Sequence, residues 1–325
     1  MKWKFSVLQA IIFLLPCSGP VYSASDSTAC ASIKDNAERL ECYDKLSRSN
    51  VNSNTEVNKE SIVENRLEQE SLTSMNEFAI TPHKPNYLLP LSYDANINQA
   101  NQDAIAPGSN VELQKVEAKF QLSFKVPLVK RFLIDNGQLW FAYSQLAFWQ
   151  MYNRDLSSPF REINYEPELI WAIKTDKEFL GLHNAFITLA LNHQSNGQSE
   201  PLSRSWNRIV ADFIFEKENL VLSFKPWYRI PESEEDDDNP DIDEYLGYAD
   251  FSALYKYKEH LSTVMLRNNL RSDDNHTTIE LTYTFEFNKR LKGIAQYFSG
   301  YGESLIDYNH RTHRFGVGIL LTDWL

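Results

Sequence analysis

The sequence predicts an all-β fold, a twelve-stranded antiparallel transmembrane β-barrel with an N-terminal periplasmic extension. Three observations predict it. Residues 278–287 alternate strictly, with Ile279, Leu281, Tyr283, Phe285 and Phe287 set against Thr278, Glu280, Thr282, Thr284 and Glu286. Residues 117–128 do the same, with Ala118, Phe120, Leu122, Phe124, Val126 and Leu128 set against Glu117, Lys119, Gln121, Ser123 and Lys125. Successive side chains on a strand point to opposite faces, so each run has one apolar face and one polar face. The second observation is that the polar face carries too much charge for the dry core of a sandwich. Third, aromatic residues make up 13% of the chain, and Tyr and Trp gather at strand ends, as an interfacial girdle requires. A soluble β-sandwich also alternates, but it explains neither the charge nor the girdle.

From the N-terminus, Lys2 and Lys4 precede an apolar core from Val7 to Leu15, and Val21 and Ser23 suit the approach to a cleavage site. Residues 1–23 therefore read as a secretory signal. Cys17 falls within it, which leaves Cys30 and Cys42 as an even pair in an oxidising compartment. On one straight helix they would stand about 18 Å apart, beyond disulfide reach. A bridge needs a bend, and Asp35 before NAERLECYDKL is a candidate helix N-cap that would follow one. Residues 24–47 thus read as a small Cys-containing helical segment, with metal binding by two cysteines as the alternative. Residues 48–84 read as a periplasmic linker, polar and without strand alternation.

The barrel is expected over 85–325, with strands near 85–96, 116–128, 137–150, 162–174, 181–195, 205–217, 219–230, 244–257, 260–271, 277–287, 290–301 and 312–325. Twelve is an even count, as bacterial single-chain barrels have. The mean hydropathy of -0.44 argues against a helical membrane protein, since beyond the leader no run has the apolar length a spanning helix needs. A formal charge of -12 without a basic stripe argues against nucleic-acid binding. The acidic run Glu232–Glu244 falls between two strands and lacks the glycine and spacing of an EF-hand, so it reads as a solvated loop.

The stretch NHQSNGQSEPLSRSWNR, residues 192–208, carries the chemistry. His193 and Ser195 are two apart, so on a strand they share a face, and they continue the apolar odd row Ala185, Ile187, Leu189 and Leu191. Asn207 begins the next apolar row, Ile209, Ala211, Phe213 and Phe215. A serine nucleophile needs a base within hydrogen-bond reach and a third group to orient that base, and these three residues can supply all of it. If the apolar rows touch lipid, the trio lies on the outside of the barrel at the membrane border, where acyl esters are. The bland alternative for His193 is an interfacial residue that caps a strand. An aspartate at position 207 is expected to be tolerated.

Along 139–149 the outward positions read Leu139, Phe141, Tyr143, Gln145, Ala147 and Trp149. An amide aimed at hydrocarbon needs a partner, and a second barrel can provide it. A bulge that turns Gln145 inward is the alternative.

KFQLSF (119–124), SSPFREINYEPEL (157–169), NHQSNGQSEPLSRSWNR (192–208), KPWYRI (225–230), DDNPDIDEYLGY (237–248) and YFSGYGESLIDYN (297–309) together give the chain from about Asn86 to Leu325 a family likeness. It resembles bacterial outer membrane phospholipase A, a twelve-stranded barrel that hydrolyses acyl esters of phospholipids and lysophospholipids. The resemblance implies an outer membrane location, Ser195 as nucleophile, His193 as general base, Asn207 as the group orienting it, and the amide of Gly197 as an oxyanion donor. It further implies a Ca2+ site from the Ser203 hydroxyl and the carbonyl of Gln198, with Ser157 from a second subunit, and a homodimer with Gln145 at its interface. Three features depart from the family pattern: Gln198 where arginine is usual, Leu325 where an aromatic is usual, and the N-terminal cysteine segment. The competing reading is a non-enzymatic barrel, a pore or adhesin. Against an open pore, the inward Glu162, Glu166, Glu168, Arg208, Lys225 and Arg229 are expected to fill a narrow lumen with paired charges.

Overall fold

The computed structural model describes residues 33–42, 80–101, 112–288 and 291–323, together with Cys30, Ser61–Val63, Asn65, Arg66, Glu70, Gly108 and Asn110. The expected signal at 1–23, most of the 48–84 stretch and the terminal Leu325 lie outside the described residues. Contacts divide the chain into two units, Met1–Lys59 and Glu60–Leu325.

In the first unit Cys30 and Cys42 are joined, with Cα atoms 5.6 Å apart. Asp35 caps the helix at 36–42, its Oδ1 accepting from the amides of Ala37 at 2.9 Å and Glu38 at 3.0 Å. That capping satisfies two of the amides a helix start leaves without partners.

The second unit is a closed antiparallel barrel. Its long strands are β2 (Asn86–Asp94), β3 (Val116–Lys130), β4 (Gly137–Trp149), β5 (Phe160–Phe179), β6 (Leu182–Ser195), β7 (Ser205–Lys217), β8 (Leu220–Ile230), β9 (Ala249–Tyr257), β10 (His260–Asn268), β11 (Thr277–Asn288), β12 (Leu291–Gly300) and β13 (Thr312–Thr322). A two-residue bridge, β1 (Thr81–Pro82), adds to the edge of β3. Each long strand pairs with its sequence neighbours, and β13 pairs back onto β2 through Leu320 and Tyr87 to close the ring. Closure leaves no strand edge facing lipid, which a membrane-spanning sheet requires.

All twelve expected strands are found, most within a few residues of their expected bounds. Two strands shift by five residues at one end: β5, expected to end at 174, runs on to Phe179, and β9, expected from residue 244, begins at Ala249 because a short helix, Ile242–Leu246, occupies the ground before it. Gly247 stops that helix at φ +62, where an added Cβ would lie 2.5 Å from the Asn268 carbonyl oxygen. The apolar row on β6 also breaks once. A bulge between Asn184 and Phe186 turns Ala185 into the interior against Val63, Ile214 and Val221. One extra residue in a strand reverses the facing of what precedes it.

The two ends of the barrel differ. Turns at 180–181, 218–219 and 258–259 are two residues long, and Leu180, Glu218 and Lys258 take the positive φ that tight hairpins demand. Loops at the opposite end run longer, from 8 residues between β10 and β11 to 21 between β2 and β3 (95–115). This is the asymmetry of periplasmic turns and extracellular loops.

The interior is polar and filled; of the charges expected to pair there, Glu166, Glu168, Arg208, Lys225 and Arg229 form ion pairs, while Glu162 accepts from Asn164 and the Ile306 amide instead. Glu117, Lys119, Arg161 and Arg314 are buried, and Arg314 joins Asp94, Glu117 and Glu303 at 2.9, 2.9 and 2.7 Å. From the long-loop end, residues 301–311 fold inward. Their Leu305 and Ile306 amides donate to Asn164 and Glu162, and Asp307 meets Arg161. At the short-turn end the stretch read as linker is not all linker. Ser61 and the Val63 amide donate to Glu216, and Glu70 pairs with Lys125 at 2.8 Å. Val63 adds an apolar contact, packing with Ala185, Ile214 and Val221.

Candidate active site

The site stands at the long-loop end of β6 and β7. Three consecutive cross-strand pairs fix it, Asn192 with Arg208, His193 with Asn207, and Gln194 with Trp206. The outer two pairs point inward. Trp206 is fully buried and its indole N–H donates to Gln194 Oε1 at 2.8 Å, while the Arg208 guanidinium donates to Asn192 Oδ1 at 2.8 and 3.1 Å and lies over the Trp206 ring. Because strand side chains alternate, anchoring those two rungs inside forces the middle rung outside. His193 is exposed, in line with the lipid-facing Leu189 and Leu191.

On that rung His193 Nδ1 and Asn207 Oδ1 are 2.8 Å apart, and Asn207 Nδ2 donates to Glu232 Oε1 at 2.5 Å. A carboxylate only accepts, so the amide NH2 of Asn207 faces Glu232 and its carbonyl faces the ring. The carbonyl also only accepts. His193 therefore carries its proton on Nδ1 when neutral, which leaves the Nε2 lone pair available as a base. Ser195 ends β6 two residues on from His193, half-buried and paired with Ser205. Among the described residues no hydrogen bond joins the Ser195 hydroxyl to the His193 ring; such alignments commonly tighten only around substrate.

Asn196 shapes the loop that follows. Its Oδ1 accepts from the amides of Gln198 at 3.2 Å and Arg204 at 3.0 Å, and its Nδ2 donates to the Leu202 carbonyl at 2.8 Å. One buried side chain thus ties both ends of 197–203 together. Gly197 takes φ +65, and an added Cβ would sit 3.0 Å from the Tyr165 ring, so the position suits glycine twice over. Gln198 is exposed, and Ser203 Oγ donates to Asp238 Oδ2 at 2.6 Å. Ser157 lies elsewhere, exposed at φ 60 in the loop between β4 and β5. Gln145 projects outward from β4, since its neighbour Ser144 bonds Ser123 in the interior at 2.7 Å. Its carbonyl accepts from Tyr143 at 3.3 Å, and among the described residues its NH2 has no acceptor.

The acidic run departs from the solvated-loop expectation. Glu234, Glu235 and Asp236 are exposed, but Glu232 reaches Asn207, Asp237 pairs with Arg229 at 2.6 Å, Asp238 holds Ser203, and Asp241 accepts from the Tyr308 hydroxyl. Burial and the Asp241 carboxylate raise the Tyr308 phenol above its ordinary pKa, so it stays a donor. Sequence reasoning passed over Glu232. Its place two residues beyond Ile230 becomes informative only once the strand register pairs Ile230 with Asn207.

With this geometry in place, the chain can be set beside known proteins. A family model described as Phospholipase A1 matches residues 63–321. Phospholipase A1 of Escherichia coli (strain K12) is 38% identical over 266 residues, 81% of this chain and 87% of that one. A putative phospholipase A1 of Neisseria meningitidis serogroup B is 32% identical and spans 94% of this chain and 93% of its own length. Among solved structures, outer membrane phospholipase A from Escherichia coli aligns at a TM-score of 0.71 and 36% identity, over 76% of this chain and all of that one. The dimer of Salmonella typhi outer membrane phospholipase with bound calcium aligns at 0.72 and 36%, over 78% of this chain and 96% of that one. Sequence and barrel agree, and the chain belongs to the phospholipase A1 family.

Proposed function

We propose that the chain is an outer membrane phospholipase that hydrolyses acyl esters, at sn-1 and sn-2, of phospholipids and lysophospholipids, with calcium as cofactor and a homodimer as the active form. The observation that carries this reading is the outward His193–Asn207 rung, which sits beside Ser195 on a lipid-facing row at the long-loop end of the barrel. Ser195 Oγ attacks the ester carbonyl carbon while its proton passes to His193 Nε2. The tetrahedral intermediate collapses as the alkoxide of the glycerol leaves with that proton. Water, deprotonated by His193 in turn, then releases the fatty acid and restores Ser195. Asn207 keeps the ring in the tautomer that makes Nε2 basic, and the Gly197 amide donates to the oxyanion.

The residues suit calcium. Ser203 Oγ and the Gln198 carbonyl are hard oxygen donors on one short loop, and Asp238 sets a carboxylate 2.6 Å from Ser203. Replacing the usual arginine by Gln198 leaves the ligating carbonyl in place. Ser157, exposed on a different loop, is suited to donate to the site of a second copy, which couples calcium affinity to dimerisation. Calcium, when bound, supplies positive charge near the developing oxyanion. The outward amide of Gln145 supports a hydrogen bond to a second copy.

A pore is the competing reading, and the filled lumen disfavours it, with Lys84–Glu166 at 2.6 Å and Arg267–Asp250 at 2.6 Å among its ion pairs. Fatty-acid release from phospholipid micelles, measured beside single-channel conductance, tests the proposal. Calcium-dependent release with no steady conductance supports it, and conductance without hydrolysis overturns it.

A further inference from the structure

Among the described residues, Glu232 is the one carboxylate that hydrogen-bonds to the trio. It leaves β8 two residues after Ile230, which pairs with Asn207, so the extended path through Pro231 carries it to the outer side of the same rung. Unlike Glu234, Glu235 and Asp236 on the same loop, it is half-buried. Its Oε1 accepts from Asn207 Nδ2 at 2.5 Å.

Two consequences follow from that contact. An asparagine side chain has a donor end and an acceptor end of nearly equal size, and nothing in the strand pairing says which end meets His193. With its donor end committed to a carboxylate, Asn207 can offer the ring only its oxygen. An asparagine is also neutral, so by itself it gives no charge to offset the imidazolium that forms when Ser195 is deprotonated. A carboxylate on the far side of the amide supplies that charge and polarises the amide toward the ring.

We propose that Glu232 is a positioning residue for this reaction, completing a line Ser195, His193, Asn207, Glu232 in which it fixes the Asn207 amide and sets a negative charge behind it. The proposal rests on the catalytic reading above. It also revises the expectation that aspartate is tolerated at 207. In Asn207→Asp two carboxylates face each other at hydrogen-bond distance with no donor between them, which like charges resist.

The test uses the full-length protein in micelles at saturating calcium, with heat-modifiable migration as the check on folding. Glu232→Ala should lower kcat by roughly ten- to hundredfold, the scale for misplacing a catalytic group, while KM and the calcium midpoint stay unchanged. Glu232→Gln keeps an acceptor oxygen and should lose less. Asn207→Asp should be impaired, and adding Glu232→Gln to it should raise kcat again, because the glutamine NH2 then donates to the new carboxylate, which still accepts from His193. A wild-type kcat in Glu232→Ala, or a double variant no better than Asn207→Asp alone, overturns the proposal. A raised calcium midpoint with unchanged kcat also overturns it, since that marks a loop tether. The underlying reading fails separately, through an active Ser195→Ala.

Discussion

At the residue scale, the proposed base, His193, is held by one amide, that of Asn207. Removing Asn207 takes away orientation and not a reacting group, so Asn207→Ala should reduce hydrolysis less than loss of Ser195 or His193, with the barrel still folded; kcat from fatty-acid titration measures it. Equal inactivity of the Asn207 and Ser195 variants would show that orientation is too small an account of Asn207. The meeting of His193 with Asn207 near the end of the strand that carries Ser195 was legible in the sequence because strand alternation is a local rule, and spacing alone puts residues 193 and 195 on one face. Glu232 was not legible as a partner. Its neighbours carry the same charge, and which carboxylate of an acidic run turns back depends on how the loop folds.

At the element scale, the loop 197–203 and the inward loop 301–311 do different work. Ser203→Asn should raise the calcium concentration needed for turnover, because it displaces a hydroxyl oxygen that the Asn196-tied loop holds in place. A calcium titration of activity reads this directly, and an unchanged midpoint would remove Ser203 from the ligand set. Glu303 anchors the inward loop through Lys119 at 2.9 Å and Arg314 at 2.7 Å. Burial favours its neutral form, but the two cations outweigh that and hold its pKa down to about 2. Glu303→Gln leaves Lys119 buried without its carboxylate, while Arg314 keeps Asp94 and Glu117, a loss of about 3 to 5 kcal/mol for a broken buried pair. A depressed folded pKa stabilises above the unfolded carboxylate value of about 4.3 and is lost as pH falls toward 2. The stability gap between wild type and variant, followed by urea unfolding, should therefore be full at neutral pH and close in acid. Pattern reading found these elements as strands and connections. It could not see the bulge at Ala185 or the inward fold of 301–311, since an extra residue and a loop's direction leave no periodic trace.

At the scale of the whole molecule, the account requires two copies. Gln145→Ala should weaken association by about 0.6 to 2 kcal/mol, the range for polar contacts between membrane-embedded surfaces. Because the proposed calcium site takes Ser157 from the other copy, the same change should raise the calcium requirement and leave barrel stability alone. Sedimentation in detergent with and without calcium measures both. A wild-type protein that stays monomeric at saturating calcium yet turns over lipid at full rate would contradict the shared site. The barrel was the most legible feature of all, as twelve alternating segments leave few other ways to bury one face and solvate the other. The described part of 61–70 was the least, because its attachment to Glu216 and Lys125 is polar and reads in sequence like linker.

The central claim is that Ser195 forms the acyl-enzyme, and the Ser195→Ala variant tests it most directly. Fatty-acid release from phospholipid micelles in saturating calcium should fall by at least about 10⁴-fold relative to wild type, since the covalent step loses its nucleophile. Migration as a heat-modifiable, dimerising barrel should be unchanged. Hydrolysis retained near the wild-type rate in that folded dimer would contradict the account.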